Sequence, residues 1–336
     1  MNYCKKCLTP DTRPRVTFKN GICNACQWAK KKKTIDWKKK REELERLCDK
    51  FRRDTWDVIV PFSGGKDSVY VAFKMKELGM HPLLITLVPH LETKVGTFNR
   101  QWLGAPFDCL TVAPEYLKYR ELSILGFKEQ GRPKLPFVTG ISTAILQLAS
   151  KLDIPFIMYG EDGEQEYGGQ THSKKFLDRD FLVNIYYSGF DPSKYGSWWE
   201  LPQQKELDKL HATWFSHYEG WDPKDHADFA ISKGMKTEPQ VGTFTDYAQL
   251  SDKLQDLHAY LMYVKFGFGR CTSDANIEIR AGRMKKKDGY ELVKKLDGTF
   301  PHEYLPNYLT YFGMNEKEFF ETIEGFRCTD KKPSSA

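Results

Sequence analysis

The sequence predicts an α/β protein: a parallel-sheet domain preceded by a small metal-binding module and followed by a helical, aromatic-rich C-terminal part. Residues 56–62 form an apolar, β-branched run that turns through two glycines into a helix-like segment. A second apolar run, residues 82–88, follows. A β-α-β unit of this length implies a right-handed crossover and a parallel sheet. In addition, four of the eight cysteines lie within the first 26 residues.

Length and composition limit the class of protein. The 336 residues, 40% of them hydrophobic, are enough for one large or two smaller packed domains. No run approaches the length of a transmembrane helix, and the N-terminus lacks the apolar core of a signal peptide. We therefore expect a cytoplasmic protein with no membrane partner. The net charge of +6 is modest, and basic residues crowd positions 30–33 and 38–41. Such a run is a solvated helix face or a contact for nucleic acid or a nucleotide-linked substrate.

The N-terminal cysteines have the spacing of a zinc ribbon. Cys4-x-x-Cys7 and Cys23-x-x-Cys26 each predict a tight knuckle that offers two sulfurs to one tetrahedral ion. A site with four thiolates has no vacant ligand position, so the zinc would be structural. It would hold together a segment, residues 1–33, that is too small to fold on its own core. An iron–sulfur cluster or free thiols are the alternatives.

The loop after the first predicted strand has the composition of a phosphate-binding turn. A strand that turns through glycines into a helix directs free backbone N–H groups, and the positive end of the helix dipole, at one spot. Lys66 adds a cation, and Asp67 is suited to hold Mg²⁺ against a phosphate. Neither a Walker A loop nor the dinucleotide fingerprint is present, and a glycine turn without chemical meaning is the alternative. The residues are Ser63, Gly64, Gly65, Lys66, Asp67 and Ser68.

The pattern Ser-Gly-Gly-x-Asp-Ser resembles the PP-loop of the ATP pyrophosphatase superfamily. The resemblance implies a Rossmann-like, adenine nucleotide alpha-hydrolase-like fold. It also implies that ATP is split into AMP and pyrophosphate while a substrate oxygen is adenylylated. Ligands of parallel sheets bind at the carboxyl ends of the strands. We therefore expect Pro61, Leu87 and Gly160 to line the ATP site together with the loop.

A second polar segment follows the fourth predicted strand. Residues 160–169 contain four carboxylates and four glycines. They form either a solvated acidic loop or a second Mg²⁺ or substrate clamp that faces the triphosphate. Glu161 and Asp162 lie nearest the strand end, and Glu161 is a candidate catalytic residue. Glu166 and Tyr167 are candidate substrate contacts.

The C-terminal half is aromatic-rich and mostly helical in pattern. The aromatics between residues 181 and 221 can belong to a core, but together with nearby prolines and a glycine they suggest an inserted lid or a partner surface. A helix is expected over residues 246–266, where a lone histidine, His258, does not make a site. The next segment joins glycines, arginines and a carboxylate. It is either an anion-recognition loop, since arginine binds carboxylate or phosphate in a bidentate manner, or an ordinary surface turn. Its candidate substrate contacts are Lys265, Arg270, Asp274 and Arg280.

Together these motifs, over nearly the whole chain, are similar to the N-acetyl sugar amidotransferases of the WbpG/PseA-like family, which serve lipopolysaccharide and O-antigen synthesis. The similarity covers the cysteine pairs, residues 63–68, residues 159–169 and residues 265–270. The family usually has asparagine where this chain has Asp162, which shifts the expected role to Glu161. The resemblance implies that an acetamido group on a nucleotide-linked sugar becomes an acetamidino group through an O-adenylyl imidate. It also implies ATP, Mg²⁺ and Zn²⁺ as cofactors.

The resemblance further implies that a separate glutaminase–cyclase-like pair supplies the ammonia. An N-terminal-nucleophile glutaminase needs a cysteine at the mature N-terminus, where this sequence has Met1 and Asn2. A triad glutaminase needs a Gly-x-Cys-x-Gly elbow, and the nearest segment, residues 269–273, lacks the final glycine. We therefore expect partner proteins for this step.

Two other functions fit parts of the sequence. A PP-loop tRNA-modifying enzyme that thiolates uridine or cytidine would explain the basic run. Thiolases of this layout, however, generally carry a second zinc ribbon and paired catalytic cysteines. Here Cys328 stands alone, and Cys109 and Cys271 lack that context. A zinc-ribbon nucleic-acid binder with a vestigial nucleotide fold is disfavoured by the intact loop, so nucleic acid is not an expected partner.

These observations divide the chain into five expected parts. They are a zinc ribbon (1–33), a linking helix (34–55), the ATP-binding domain (56–180), a mostly helical substrate- or partner-binding region (181–330) and a disordered tail (331–336).

Overall fold

A five-stranded parallel sheet lies at the centre of the chain, which confirms the predicted α/β class. The computed structural model describes residues 2–169, 177–187 and 196–328. The strands of the sheet are Val58–Pro61 (β3), Pro82–Leu87 (β4), Asp108–Val112 (β5), Phe156–Tyr159 (β6) and His211–Trp214 (β7). Their order is β5-β4-β3-β6-β7, and every neighbouring pair is parallel. An antiparallel hairpin, Phe18–Lys19 (β1) with Ile22–Cys23 (β2), lies in the N-terminal module.

Helices connect and cover the strands. The earlier ones are Asn24–Lys32 (α1), Trp37–Phe51 (α2), Lys66–Glu77 (α3), Lys94–Gly104 (α4), Tyr116–Gln130 (α5), Leu135–Lys151 (α6) and Gly163–Tyr167 (α7). The later ones are Arg179–Phe181 (α8), Gln204–Leu207 (α9), Pro223–Ser232 (α10), Leu254–Phe266 (α11), Arg270–Ala281 (α12), Lys286–Leu296 (α13), Leu305–Phe312 (α14) and Glu316–Glu324 (α15). In the part of the chain that the structure describes, no helix has both the length and the apolar character needed to cross a bilayer.

The sheet is covered on both faces, as its apolar strands require. Strand β4 is buried along its whole length. On one face, Ile85 packs with Leu146 of α6. On the other face, Leu84 packs with Met75 of α3. Because helices cover both faces, the ends of the strands are the places where a polar ligand can reach the sheet.

The order of the strands reverses between β3 and β6. From β3 the sheet continues outward through β4 and β5, whereas β6 pairs with the other side of β3 and leads to β7. In open parallel sheets, ligands bind in the crevice at the carboxyl ends of two strands that flank such a reversal. Residues 63–68 follow β3, and Gly160 and Glu161 follow β6. The fold therefore brings together the two polar segments that the sequence singled out.

The last strand of the sheet comes from the region in which the sequence suggested a lid or partner surface. Strand β7 lies beyond residue 180, the expected end of the ATP-binding domain, yet it pairs with β6 at four positions. Trp199 is 1% exposed and packs in the same core as α6. In the described part of the aromatic-rich stretch, such rings belong to the core. The side chain of Tyr186, residues 188–195 and the tail 331–336 lie outside the described residues.

One predicted helix begins later than expected. The apolar pattern predicted a helix over residues 246–266, but α11 begins at Leu254. In the segment before it, the carbonyl oxygen of Leu250 accepts a hydrogen bond from the Thr93 hydroxyl at the start of α4, and Gln249 has a φ of 61°. Since α4 uses a carbonyl of this segment and one residue is left-handed, an irregular loop forms there instead of a helix.

Candidate active site

The loop after β3 is held in one conformation by its own hydroxyls and by a glycine. The Ser63 hydroxyl accepts the N–H of Gly65 at 3.2 Å, and the Ser68 hydroxyl accepts the N–H of Ser63 at 3.3 Å. Gly64 has a φ of +76°, and a Cβ at this position would lie 2.5 Å from the backbone nitrogen of Arg100 in α4. A side chain would therefore collide with backbone, and glycine is required.

The turn into α3 leaves backbone donors open. The N–H of Val69 bonds to the carbonyl of Gly65 at 3.1 Å. Among the described residues, none accepts a hydrogen bond from the N–H groups of Gly64, Lys66 or Asp67. These groups border a cavity of about 140 Å³. Typical ligand pockets measure about 300–1,000 Å³, so this cavity fits the phosphate end of a nucleotide at a helix N-terminus.

Asp67 lies in this loop between two basic groups. Its carboxylate contacts the ammonium of Lys66 and hydrogen-bonds with Nδ1 of His226 at 3.0 Å. Burial favours the neutral carboxyl, but the charge of Lys66 and the hydrogen bond to His226 outweigh it and lower the pKa of Asp67 to about 2. Its side chain is 26% exposed. An ionised, accessible carboxylate beside a phosphate-binding turn fits the oxygen ligand that Mg²⁺ prefers.

His226 and Trp221 connect this loop with Glu161, and the sequence did not identify either as a site residue. The buried ring of His226 stacks on Tyr70 and meets Trp221 edge-on, each at 4.1 Å between ring centroids. The indole N–H of Trp221 donates to Glu161 at 3.1 Å. His226 is a lone histidine 159 positions after Asp67 in the chain. No spacing rule could have paired the two.

Glu161 lies where β6 ends, beside the loop of residues 63–68. Burial and then the charge of Asp67 raise the pKa of the Glu161 carboxyl to about 7, against the opposing charge of Lys66. A carboxyl with this pKa can accept or release a proton near neutral pH, as a general acid or base must. Its position and its pKa both support the predicted catalytic role.

The other carboxylates of residues 160–169 bind protein groups. Asp162 is buried, accepts the N–H of Glu164 at the start of α7 and pairs with Nε2 of His217 at 3.2 Å. Glu166 pairs with the ammonium of Lys32 at 2.7 Å. The segment is thus neither a solvated loop nor a set of carboxylates that all face the triphosphate. It is a packed element that presents Glu161.

The four N-terminal cysteines come together as the sequence predicted. All four sulfurs lie within 4.8 Å of one another. The sulfurs of Cys4 and Cys26 are 3.9 Å apart, and those of Cys7 and Cys23 are 3.6 Å apart. A tetrahedron with Zn–S bonds of about 2.3 Å has edges of about 3.8 Å. The cluster therefore fits a four-thiolate metal ion that has no open position.

The metal module holds the acidic segment in place. The indole N–H of Trp28 donates to Glu166 at 2.8 Å, and Lys32 pairs with the same carboxylate. Arg15 contacts Glu164. Two further hydrogen bonds join the module to α12. The N-terminal residues therefore reach the segment that carries Glu161 through several polar contacts.

The residues predicted to line the ATP site differ in their surroundings. Pro61 ends β3 and leads into the loop. A Cβ at Gly160 would lie 3.2 Å from the Trp221 ring and 3.7 Å from the Cβ of Asp67, so this position adjoins the site. Leu87, in contrast, is 2% exposed in the core and supports the sheet.

The candidate substrate contacts of the C-terminal segment also lie in different surroundings. Arg270 makes a bidentate pair with Asp274, at 3.0 and 2.7 Å, within its own helix. The expected contact of this arginine is thus made with a protein carboxylate. The ammonium of Lys265 donates to the carbonyl of Gln130 at 2.8 Å, in α5 and not in the phosphate-binding loop. Burial lowers the pKa of Lys265 to about 8.

Arg280 and Tyr167 lie with Glu161 around a cavity that is separate from the phosphate-sized one. One N–H of Arg280 donates to the carbonyl of Glu166 at 3.2 Å. The guanidinium of Arg13 lies 5.8 Å from the centre of the Tyr167 ring. Of the C-terminal candidates, Arg280 is thus the one that shares a cavity with Glu161.

Comparison with known proteins identifies the C-terminal part. Residues 241–333 match the family described as "LPS biosynthesis protein WbpG-like, C-terminal domain". This region includes residues 247–251, which close the phosphate-sized cavity opposite the loop. Among curated proteins, none matches the sequence.

Among solved structures, a predicted subunit of a tRNA methyltransferase from Methanocaldococcus jannaschii is similar to this chain. The identity is 14%, over 61% of this chain and 85% of that chain, with a TM-score of 0.34. A similarity of this size supports no conclusion about function. The match of residues 241–333 to the WbpG-like C-terminal domain confirms, in that region, the resemblance drawn from the motifs of the sequence.

Proposed function

We propose that the protein is an ATP-dependent amidotransferase. It converts the acetamido group of a nucleotide-linked sugar into an acetamidino group for a bacterial surface polysaccharide. One observation carries the proposal. A phosphate-binding loop and a carboxyl with a pKa near 7 lie together at the β3–β6 crevice, and a segment of the WbpG-like domain closes it. Both parts are what adenylylation of an amide oxygen needs.

The first step activates the amide. An amide carbonyl is a poor electrophile because its oxygen is a poor leaving group. The amide oxygen attacks the α-phosphorus of ATP, the bond to pyrophosphate breaks, and an O-adenylyl imidate forms. The open N–H groups of the loop and the ammonium of Lys66 stabilise the charge on the departing pyrophosphate. Mg²⁺ held by Asp67 would supply further neutralising charge when bound.

Glu161 supplies the proton transfer. As the amide oxygen bonds to phosphorus, the amide N–H must lose its proton. The Glu161 carboxylate accepts it, since a base with a pKa near the working pH is effective in this role. The Trp221 indole N–H, at 3.1 Å, fixes one of its oxygens. The His226–Asp67 contact orients the other side of the site.

The second step replaces the oxygen. Ammonia adds to the activated carbon, the carbon–oxygen bond to AMP breaks, and the amidine and AMP form with the loss of one proton. AMP therefore carries the oxygen that was the acetamido oxygen. We propose that a separate glutaminase–cyclase-like pair delivers the ammonia, because the sequence contains no recognisable glutaminase nucleophile.

The oxygen transfer gives a direct test. The protein is incubated with ATP, Mg²⁺, ammonium and nucleotide-linked acetamido sugars whose acetamido oxygen is isotopically labelled. We expect the label in AMP and a sugar product in which NH replaces O, both detected by mass spectrometry. A parallel reaction contains bulk tRNA instead of sugar. AMP formation that requires tRNA and not a sugar would overturn the proposal in favour of tRNA modification.

A further inference from the structure

A cavity of about 320 Å³ opens beside Glu161. Its lining includes Glu161, Tyr167 and Trp221, together with Trp37 and other N-terminal residues. We call it the inner cavity. The Trp221 ring also lies against Gly160, which adjoins Asp67. The part of the cavity at Trp221 therefore adjoins the loop of residues 63–68. A substrate bound there would lie next to ATP bound at the loop.

A second, larger cavity of about 480 Å³, which we call the outer cavity, adjoins the inner cavity. The two share the lining residues Ala29, Lys33 and Arg280. Within the described part of the chain, the outer cavity is lined by basic residues and by no carboxylate. The two cavities therefore border each other, and two cations, Lys33 and Arg280, lie at their junction.

The charges at this junction are not balanced by protein groups. Two of the three carboxylates of the inner cavity are paired with cations, because Glu166 pairs with Lys32 and Asp222 pairs with an arginine at 2.6 Å. The third, Glu161, accepts the Trp221 indole N–H and lines the inner cavity but not the outer one, where the nucleoside is placed below. Among the described residues, Lys33 and Arg280 belong to no ion pair. Burial and the nearby Arg280 lower the pKa of Arg13 to about 10. Excess positive charge in a concave site favours an anionic ligand.

We propose that the two cavities together bind a nucleoside diphosphate-linked acetamido sugar. The sugar lies in the inner cavity with its acetamido group at Glu161, the diphosphate lies between Lys33 and Arg280, and the nucleoside lies in the outer cavity. This inference rests on the proposed function and extends it. The metal-binding module, which provides Lys33, then forms part of the sugar-nucleotide site.

The volumes and the lining residues of the two cavities fit this ligand. Their volumes fall within or near the roughly 300–1,000 Å³ of small-molecule sites. The rings of Trp37 and Trp221 give the inner cavity apolar faces on which a sugar ring can pack. The guanidinium of Arg280 and the ammonium of Lys33 are suited to phosphate oxygens. An uncharged ligand or ammonium alone would leave both cations without a counter-charge.

Calorimetric titration with UDP-N-acetylglucosamine, without ATP, tests the site independently of turnover. The wild-type protein should bind, and Lys33→Ala and Arg280→Ala should each weaken binding about tenfold or more, the size of one lost charge-assisted hydrogen bond. Lys31→Ala is the matched control. Lys31 lies in the last turn of α1, two residues before Lys33, and lines neither cavity, so the Lys31→Ala variant should bind the sugar nucleotide as tightly as the wild type. Lys33 is exposed, so we expect the Lys33→Ala variant to keep the fold.

A second probe separates the two cavities. Lys19 lines only the outer one. The variant Lys19→Ala should therefore weaken binding of UDP-N-acetylglucosamine but not of N-acetylglucosamine 1-phosphate, which lacks the nucleoside. Arg280→Ala should weaken the binding of both.

Three results would overturn this assignment: no binding of the sugar nucleotide, equal affinity in wild type and Lys33→Ala, or Lys33-dependent binding of bulk tRNA instead. Binding as expected without AMP formation in the presence of ATP and ammonium would count against the proposed reaction alone. The two proposals can thus fail separately.

Discussion

Two loops meet at the carboxyl ends of the neighbouring strands β3 and β6, and they use their polar groups in opposite ways. In residues 63–68 the hydroxyls accept hydrogen bonds within the loop, and the backbone N–H groups of Gly64, Lys66 and Asp67 have no acceptor among the described residues. In residues 160–169 most carboxylates are bound by other elements, and Glu161 is left at the site. The first loop presents open N–H groups of its own backbone. The second is a packed segment whose carboxylates are held by distant parts of the chain, and it presents Glu161.

The sharpest test of the first loop is Asp67→Ala. We expect AMP formation to fall about a thousandfold or more, since this removes a group that acts on the developing charge. The fold should remain, but the melting temperature should fall, because Lys66 and His226, both buried, lose their shared partner. Asp49→Ala, at a side chain that is 71% exposed, is the control and should retain full activity. Normal turnover in Asp67→Ala would remove this residue from the mechanism.

The dependence of the second loop on the metal module is tested by replacing Cys4 and Cys7 with serine. We expect loss of the bound metal, measured by elemental analysis, and a loss of stability on the order of 3 kcal/mol or more. Hydrogen exchange should rise in residues 160–169, because the contacts to Glu166 and Glu164 come from the module. Replacement of the exposed Cys109 is the control. Unchanged metal content would refute the four-thiolate site.

Glu161→Gln separates the functional carboxylate from the scaffold around it. As the loss of a general base, it should lower kcat about a hundredfold. In the wild type, activity should rise with pH through about 7, where the Glu161 carboxyl loses its proton. A rise that persisted unchanged in the variant would exclude Glu161 as its source.

The same substitution predicts a change in stability. The pKa of Glu161 is raised from 4.5 to about 7, so the folded protein binds this proton more tightly than the unfolded chain. Stability therefore falls as the pH rises from about 4.5 to 7, and the full cost applies above 7. Urea unfolding at pH 8.5 should show Glu161→Gln to be more stable than wild type by up to about 3 kcal/mol, and by much less at pH 4.5. An equal difference at both pH values would contradict this account.

Substitution of His226 tests whether the first loop depends on a group outside residues 63–68. His226→Ala should lower kcat about tenfold with little change in the KM for ATP, because Asp67 loses a hydrogen bond that orients it. His226→Asn keeps a donor near that position and should recover part of the rate. Lys224→Ala, at an exposed position on the same helix, is the control. Loss of folding without partial rescue would reduce His226 to a packing residue.

The smallest effect is expected for Glu164→Gln. Its pair with Arg15 is partly exposed and screened by solvent, so stability should fall by less than about 1 kcal/mol. Activity should stay at the wild-type level, in contrast with Glu161→Gln three positions earlier. A large loss of activity would show that the scaffold carboxylates also act on the substrate.

The parts of the fold and site that could be predicted are those set by local sequence. The loop at residues 63–68 was recognisable because a positive φ at Gly64 and two hydroxyl bonds define it within six residues. The four cysteines were equally local, since each knuckle forms within its own pair.

The parts that could not be predicted depend on tertiary contacts. His226 reaches Asp67 only through the packing of α10 on α3, and β7 joins the sheet from beyond the expected domain end. The loop before α11 looked helical because its apolar spacing is helical. Its carbonyl at Leu250 is instead used by Thr93, far away in the sequence. The spacing of apolar residues carries no information about which other element donates a hydrogen bond to a given backbone carbonyl.

The contacts between the cysteine module and the acidic segment have a consequence for the metal ion and the sugar nucleotide, which bind at different places. If the module also supplies Lys33 to the sugar nucleotide, both ligands favour the same ordered state of the N-terminal residues. By thermodynamic reciprocity, each then tightens the binding of the other. A metal chelator would therefore inhibit the reaction although it resembles neither substrate. A saturating concentration of the sugar nucleotide would slow the dissociation of the metal ion.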